Sequence, residues 1–249
     1  SFDIFFNITI VYYLNLEKNI MKVLAVAAHP DDIEIFMYGL LTIYKTEGHQ
    51  VYTMIATDGS KGGAVPGVKL ARERVNEAIN GLEKLSLPTF LNLPDGELGA
   101  ELEHRKIIKE NILKIMPDLI ITHSENDYHA DHKSLSLITK GVVSHYIPIL
   151  YCDTLMGINF NPNYYVDITD HYNLKKEAIL KHETQSPQRF IDLFELMNSY
   201  RAAQCNSPKG RYAEAYSFVP SFPFSDIREI LPSPLKLRPF HIQNQNGFL

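Results

Sequence analysis

The chain has 249 residues, 45% of them hydrophobic and 21% charged, which is ordinary for a soluble globular protein and enough for one well-cored α/β domain or two small ones. Its net charge of -5, with no lysine-arginine block, excludes a general nucleic-acid binder, which needs a basic face to neutralise phosphates. The two cysteines, Cys152 and Cys205, lie far apart, which excludes a disulfide framework and fits buried free thiols in a reducing compartment.

Residues 1–20 are rich in Phe, Ile and Tyr but are interrupted by asparagines and Asp3. They lack a basic start and a small-residue cleavage site, and they are short for a membrane span, which takes about 20 apolar residues. They read as an upstream extension, with Met21 as the natural start, rather than as a weak interfacial anchor. Residues 23–28 form a short apolar run, the pattern of a strand buried on both faces. A helix is expected over residues 33–47, stopped by Gly48, then a strand over 51–57, a glycine-rich loop over 58–67 and a helix over 69–85. Pro88 breaks the chain, residues 89–93 make a strand, and Pro94-Asp95-Gly96 makes a turn. A helix over 101–116 ends at Pro117, a strand covers 118–122, and a polar loop over 123–131 leads into a helix near His132. Strands over 149–152 and 164–168 precede helices over 171–183 and 189–204, and the proline-rich tail over 220–249 reads as irregular. Alternating strands and helices predict one domain over residues 21–219, a three-layer Rossmann-like α/β fold with a mostly parallel sheet between helices.

In such a sheet, ligands bind outside the carboxyl ends of the strands. The loop after the first strand reads His29-Pro30-Asp31-Asp32-Ile33-Glu34, and the loop after the fourth runs from His123 to His132. A dinucleotide site would need glycines in the first loop, and it has none; GxxxxGK[ST] and GxSxG motifs are also missing. Imidazole and carboxylate suit zinc, whose catalytic sites take three protein ligands and keep one position for water. His29 and Asp32 can reach one metal from a single turn, and His132 can supply a third ligand from the facing loop. Asp31, next to a ligand, can serve as general base. Alone, the first loop would read better as a helix cap by Asp31 or Asp32; two such clusters at corresponding strand ends favour a site.

The segment Ala28-His29-Pro30-Asp31-Asp32-Ile33-Glu34 resembles the AHPDDxE motif of the LmbE-like, or PIG-L, family of zinc de-N-acetylases. His129-Ala130-Asp131-His132 is similar to the family's HPDH motif, with alanine in place of proline. Thr57-Asp58-Gly59, Leu93-Pro94-Asp95-Gly96, the Arg74 and Glu77 pair, and Tyr212-Ala213-Glu214-Ala215 follow in family order. The resemblance covers residues 22–218. It implies that His29, Asp32 and His132 bind Zn2+, with Fe2+ or Co2+ also suited to the donors, and that Asp31 is the general base. It further implies that protonated His129 steadies the tetrahedral intermediate while Asp131 holds its ring, and that Arg74 and Asp95 face the substrate.

The implied reaction removes acetyl from an N-acetylglucosamine-type sugar or conjugate. The alternatives are an amidohydrolase for another acyl amide and a non-catalytic metal- or sugar-binding relative. Tyr128 reads equally as an oxyanion contact or a packing residue, and Glu34 as a hydrogen-bond partner of the site or as compensation of a helix dipole. His123 is a candidate for supporting the ligands, and Lys61-Gly62-Gly63 for a lid or pocket wall. His49, His104, His145, His171 and His182 are expected to have no role. The partner is a small amino sugar, with no nucleic acid and no membrane span. The cytoplasm is the default location, and a homo-oligomer is compatible with the resemblance.

Overall fold

The computed structural model describes residues 20–236 apart from Ala100 and Ser144, so the expectations for residues 1–19 and for the end of the tail lie outside the described residues. The first strand, β1 (Lys22–Ala27), shows why the sheet is central. Val23, Ala25 and Ala27 enter one hydrophobic core and Leu24, Val26 and Ala28 enter the other, all fully buried. Side chains alternate across a strand, so a strand covered on both faces must be apolar throughout.

Parallel pairing joins β1 to β2 (Gln50–Thr57) and β4 (Leu119–Thr122), β2 to β3 (Thr89–Leu93), and β4 to β5 (Ile149–Cys152). With β6 (Tyr164–Asp167) and β7 (Ala213–Phe218), the full order is β3-β2-β1-β4-β5-β7-β6. Helices α1 (Asp32–Phe36), α2 (Tyr38–Thr46), α3 (Val68–Leu82), α6 (Tyr172–Ile179) and α7 (Pro187–Gln204) supply residues to the first core. Helices α4 (Leu102–Ile115) and α5 (Ala130–Val143) cover the other face. The three-layer, mostly parallel architecture expected from the sequence is the one observed. Among the described residues, no helix is long and apolar enough to cross a membrane.

Two differences from the sequence reading have physical causes. The strand β7 (Ala213–Phe218) was not anticipated; it inserts antiparallel between β5 and β6 (Tyr164–Asp167). Its first residues, Ala-Glu-Ala, have weak strand propensity, and Glu214 is 2% exposed in spite of its charge. The helix expected over residues 33–47 is also broken, at Met37, into α1 and α2. Glu214 accounts for the second helix: its carboxylate accepts the amides of Gly39 at 2.9 Å and Leu40 at 2.8 Å, which are left open at the new helix start. Glu214 also accepts from Lys175 Nζ at 2.7 Å and from the Tyr216 hydroxyl at 2.7 Å. Beyond Val219 the tail is not wholly irregular: Arg228–Ile230 forms a short 3-10 turn, and the Ile230 carbonyl accepts from the Tyr44 hydroxyl at 2.8 Å.

A second buried pair fixes α1 to the segment after α6. His182 Nε2 lies 2.8 Å from Glu34 Oε1, and both residues are at most 1% exposed. Gly81 on α3 packs against them, since a Cβ there would come within 2.4 Å of Glu34 Oε1. His182, expected to have no role, is therefore the partner of Glu34.

Replacing Glu214 with Ala strands Lys175 in the core, and unfolding measurements should show a loss of about 3–5 kcal/mol, as for breaking other buried pairs. For His182, burial opposes the cation, but Glu34 and then Asp31 outweigh it and raise the pKa. The stability it adds is therefore complete below the ordinary histidine value of about 6.5 and is lost as pH rises through the raised value. The urea-unfolding advantage of the wild type over His182→Gln should thus be larger at about pH 6 than at about pH 9. A pH-independent difference would mean that folding leaves the His182 pKa unchanged.

Candidate metal and catalytic site

From β1 the chain builds outward through β2 to β3, then returns to the other side of β1 for β4. The loops after β1 and β4 therefore part, which leaves the crevice where such sheets bind ligands. His29 to Asp31 fill the first loop and α1 begins at Asp32; His123 to His129 fill the second and α5 begins at Ala130. Both clusters singled out in the sequence meet here, lining a cavity of about 410 Å³.

Three donor atoms form a near-equilateral triangle. His29 Nδ1 lies 3.3 Å from Asp32 Oδ2, Asp32 Oδ2 lies 3.3 Å from His132 Nε2, and His132 Nε2 lies 3.3 Å from His29 Nδ1. Tetrahedral ligands at bond lengths of about 2.0–2.1 Å would be about 3.3–3.4 Å apart, so the donor set fits a small cation such as zinc. Two other histidines come close enough to be considered as ligands. His123 Nε2 accepts the Ala28 amide at 3.1 Å, and His129 Nδ1 accepts the Asp131 amide at 3.3 Å, so those lone pairs are in use.

The electrostatics point the same way. Burial disfavours the His132 cation, yet Asp32 and Asp127 outweigh it and raise its pKa to about 9. His29 is also raised, against its burial, by Asp131, Asp32 and Asp95. His123 behaves oppositely: burial and then the neighbouring His132 charge push it down to about 4, so it is neutral.

Asp31 has φ +140°, a conformation rarely adopted by residues other than glycine. Arg74, 3% exposed, clamps this turn: Nη2 donates to the Pro30 carbonyl at 2.8 Å and to Asp31 Oδ1 at 3.0 Å, and Nη1 donates to the Gly59 carbonyl at 2.9 Å. A Cβ on Gly59 or Gly62 would come within 2.8 or 2.3 Å of Arg74 Nη1, so this loop closes only with glycine. Arg74 borders the cavity, with its guanidinium committed to Asp31 and the loop. Burial raises the Asp31 pKa; Arg74 opposes the rise and Asp32 adds to it.

Asp131 departs from its expected role. Its carboxylate does not hold the His129 ring; it accepts the Gly96 amide at 2.7 Å and the Leu98 amide at 3.1 Å, and its Oδ2 lies 3.2 Å from His29 Nε2. Only the backbone N–H of Asp131 reaches His129. Asp95 Oδ1 lies 3.3 Å from the same His29 nitrogen, and Asp95 Oδ2 accepts the Lys61 amide at 2.8 Å. Tyr128 is 55% exposed on the cavity wall. Lys61 and Gly62 form another part of the wall.

Residues not anticipated from the sequence complete the site. Asp127 Oδ2 lies 2.9 Å from His132 Nδ1, and Asp127 Oδ1 accepts the His129 amide at 2.9 Å. Its place in the polar loop, five residues before a ligand, was the available signal. Leu155, Gln185, Arg189 and Phe190 line the cavity from segments far along the chain and carried no motif.

Comparison with known proteins agrees with this geometry. The family model described as "PIG-L: GlcNAc-PI de-N-acetylase" matches residues 24–143. A diacetylchitobiose deacetylase from Thermococcus kodakarensis is 30% identical over 226 residues, covering 82% of this chain and 85% of the relative. The N,N'-diacetylchitobiose deacetylase structure from Pyrococcus horikoshii superposes with a TM-score of 0.70 at 24% identity, over 88% of this chain and 93% of that one. GalB, the 4-carboxy-2-hydroxymuconate hydratase from Pseudomonas putida, has the same fold with a TM-score of 0.71 at 18% identity, over 80% and 96% of the two chains. By its ordered motifs and by a relative matched over most of both lengths, this chain belongs to the PIG-L, or LmbE-like, family.

Proposed function

We propose that this chain is a metal-dependent hydrolase that removes the acetyl group from an N-acetylglucosamine-type sugar or conjugate. The observation that carries this reading is the 3.3 Å triangle of His29 Nδ1, Asp32 Oδ2 and His132 Nε2 with Asp31 beside it in one cavity. The acetylated amino-sugar substrate is the activity given in the names of the Thermococcus and Pyrococcus relatives. Zinc held by these three residues would supply Lewis acidity, polarising an amide carbonyl and lowering the pKa of water to about 7; Fe2+ or Co2+ suits the same donors.

The chain's own groups divide the remaining work. Asp31, fixed by Arg74 and raised in pKa by its burial, accepts the proton of the attacking water. His129 presents Nε2–H toward the cavity because the Asp131 amide occupies Nδ1, so it acts as a neutral donor where negative charge develops on the acetyl oxygen. This replaces the protonated His129 of the sequence reading: burial, then His132 and His29, lower its pKa. The proton held by Asp31 then passes to the departing amine, giving acetate and a free amino sugar.

Acetate release from a panel of N-acetylglucosamine conjugates should be absent after chelation and should return with zinc. Asp31→Asn should still bind the metal but lose about 10²–10⁴-fold in kcat, the usual contribution of a general base. Equal turnover by Asp31→Asn would remove Asp31 from the reaction. A zinc-loaded wild type that releases no acetate would move the substrate to another acyl amide.

A further inference from the structure

We infer that Asp131 and Asp95 form a carboxylate pair that positions the metal ligand His29 through its far nitrogen. The inference rests on the reading that His29, Asp32 and His132 hold the metal. With Nδ1 in the donor triangle, the His29 ring has only Nε2 left to carry its proton. That nitrogen faces two carboxylate oxygens, Asp131 Oδ2 at 3.2 Å and Asp95 Oδ1 at 3.3 Å. His132, the other imidazole of the triangle, has one such partner, Asp127.

The two carboxylates are held differently. Asp131 stands in the first turn of α5, next to the ligand His132, yet its side chain crosses the crevice to the ligand that follows β1. It is 1% exposed and is pinned by the Gly96 and Leu98 amides. Asp95 comes from the turn after β3 and divides its oxygens: one addresses His29, and the other takes the Lys61 amide of the cavity wall. Asp131 is thus the fixed support, and Asp95 ties the ligand to the loop the substrate would touch. A carboxylate behind a coordinating imidazole fixes the tautomer and ring orientation and strengthens the nitrogen as a ligand, typically by 10–100-fold in metal affinity.

The test is zinc affinity by chelator competition and the visible spectrum of the Co2+-loaded protein, for wild type, Asp131→Asn and Asp95→Asn. Thermal unfolding of each metal-free protein separates folding from binding. Each variant should bind zinc about 10–100-fold more weakly and shift the Co2+ spectrum, effects that a role limited to bracing the Gly96–Leu98 or Lys61 backbone would not produce. If Asp131→Asn does not fold, Asp95→Asn decides alone. Variants that match the wild type in affinity and spectrum overturn the inference while leaving the metal site intact. A folded wild type that binds neither ion overturns the metal reading itself, and this inference with it.

Discussion

The site is organised by negative charge that its own side chains do not neutralise. Asp31, Asp32, Asp95, Asp127 and Asp131 are all buried around one crevice, and Arg74 is the permanent cation ion-paired within this group. Burying ionised carboxylates is costly unless partners compensate, and imidazoles compensate only when protonated. The raised pKa values of His29 and His132 express that demand in the metal-free protein. A divalent cation would answer it with two charges at the point where three donors already converge. The strained turn, the glycine loop packed on Arg74 and the linked carboxylates all serve to keep this charge concentrated and oriented.

Much of this was legible in the sequence, because the informative features are local. The unbroken apolar run of β1 gives a strand buried on both faces, and the ligand-rich loops follow two strands whose ends the sheet topology brings together. What was not legible depends on contacts between residues distant in the chain. Glu214 meets the amides of Gly39 and Leu40 across 175 and 174 residues, so neither the break at Met37 nor the strand that carries Glu214 shows in local periodicity. His182 pairs with Glu34 across 148 residues, and as an isolated histidine it gave no sign of this. Asp131 was misjudged for a related reason: proximity along the chain suggested His129, whereas the fold directs its carboxylate to a ligand 102 residues away.

The hydratase among the structural neighbours shows that the scaffold alone does not name a reaction. In this chain the distinguishing content lies in loops at one edge of the sheet. The cavity wall is assembled from at least five segments: the turns after β1, β3 and β4, the glycine loop, and the start of α7 with Arg189, Phe190 and the preceding Gln185. The donor triangle sits close to the sheet, where packing fixes it, while Tyr128 and Arg189 are exposed. The chemistry can therefore stay constant while the outer wall changes to suit different sugars.

The backbone of Asp31 carries a consequence for how this protein can change over time. A non-glycine residue held at φ +140° costs on the order of 1–3 kcal/mol, which glycine would largely relieve. Backbone strain and charge pairing therefore make opposite demands at this position, one for the smallest side chain and the other for a carboxylate. Arg74 opposes that relief, because removing the Asp31 carboxylate would leave its guanidinium buried without a charge partner, at a cost of about 3–5 kcal/mol. The ion pair thus keeps in place a strained residue that glycine would otherwise replace.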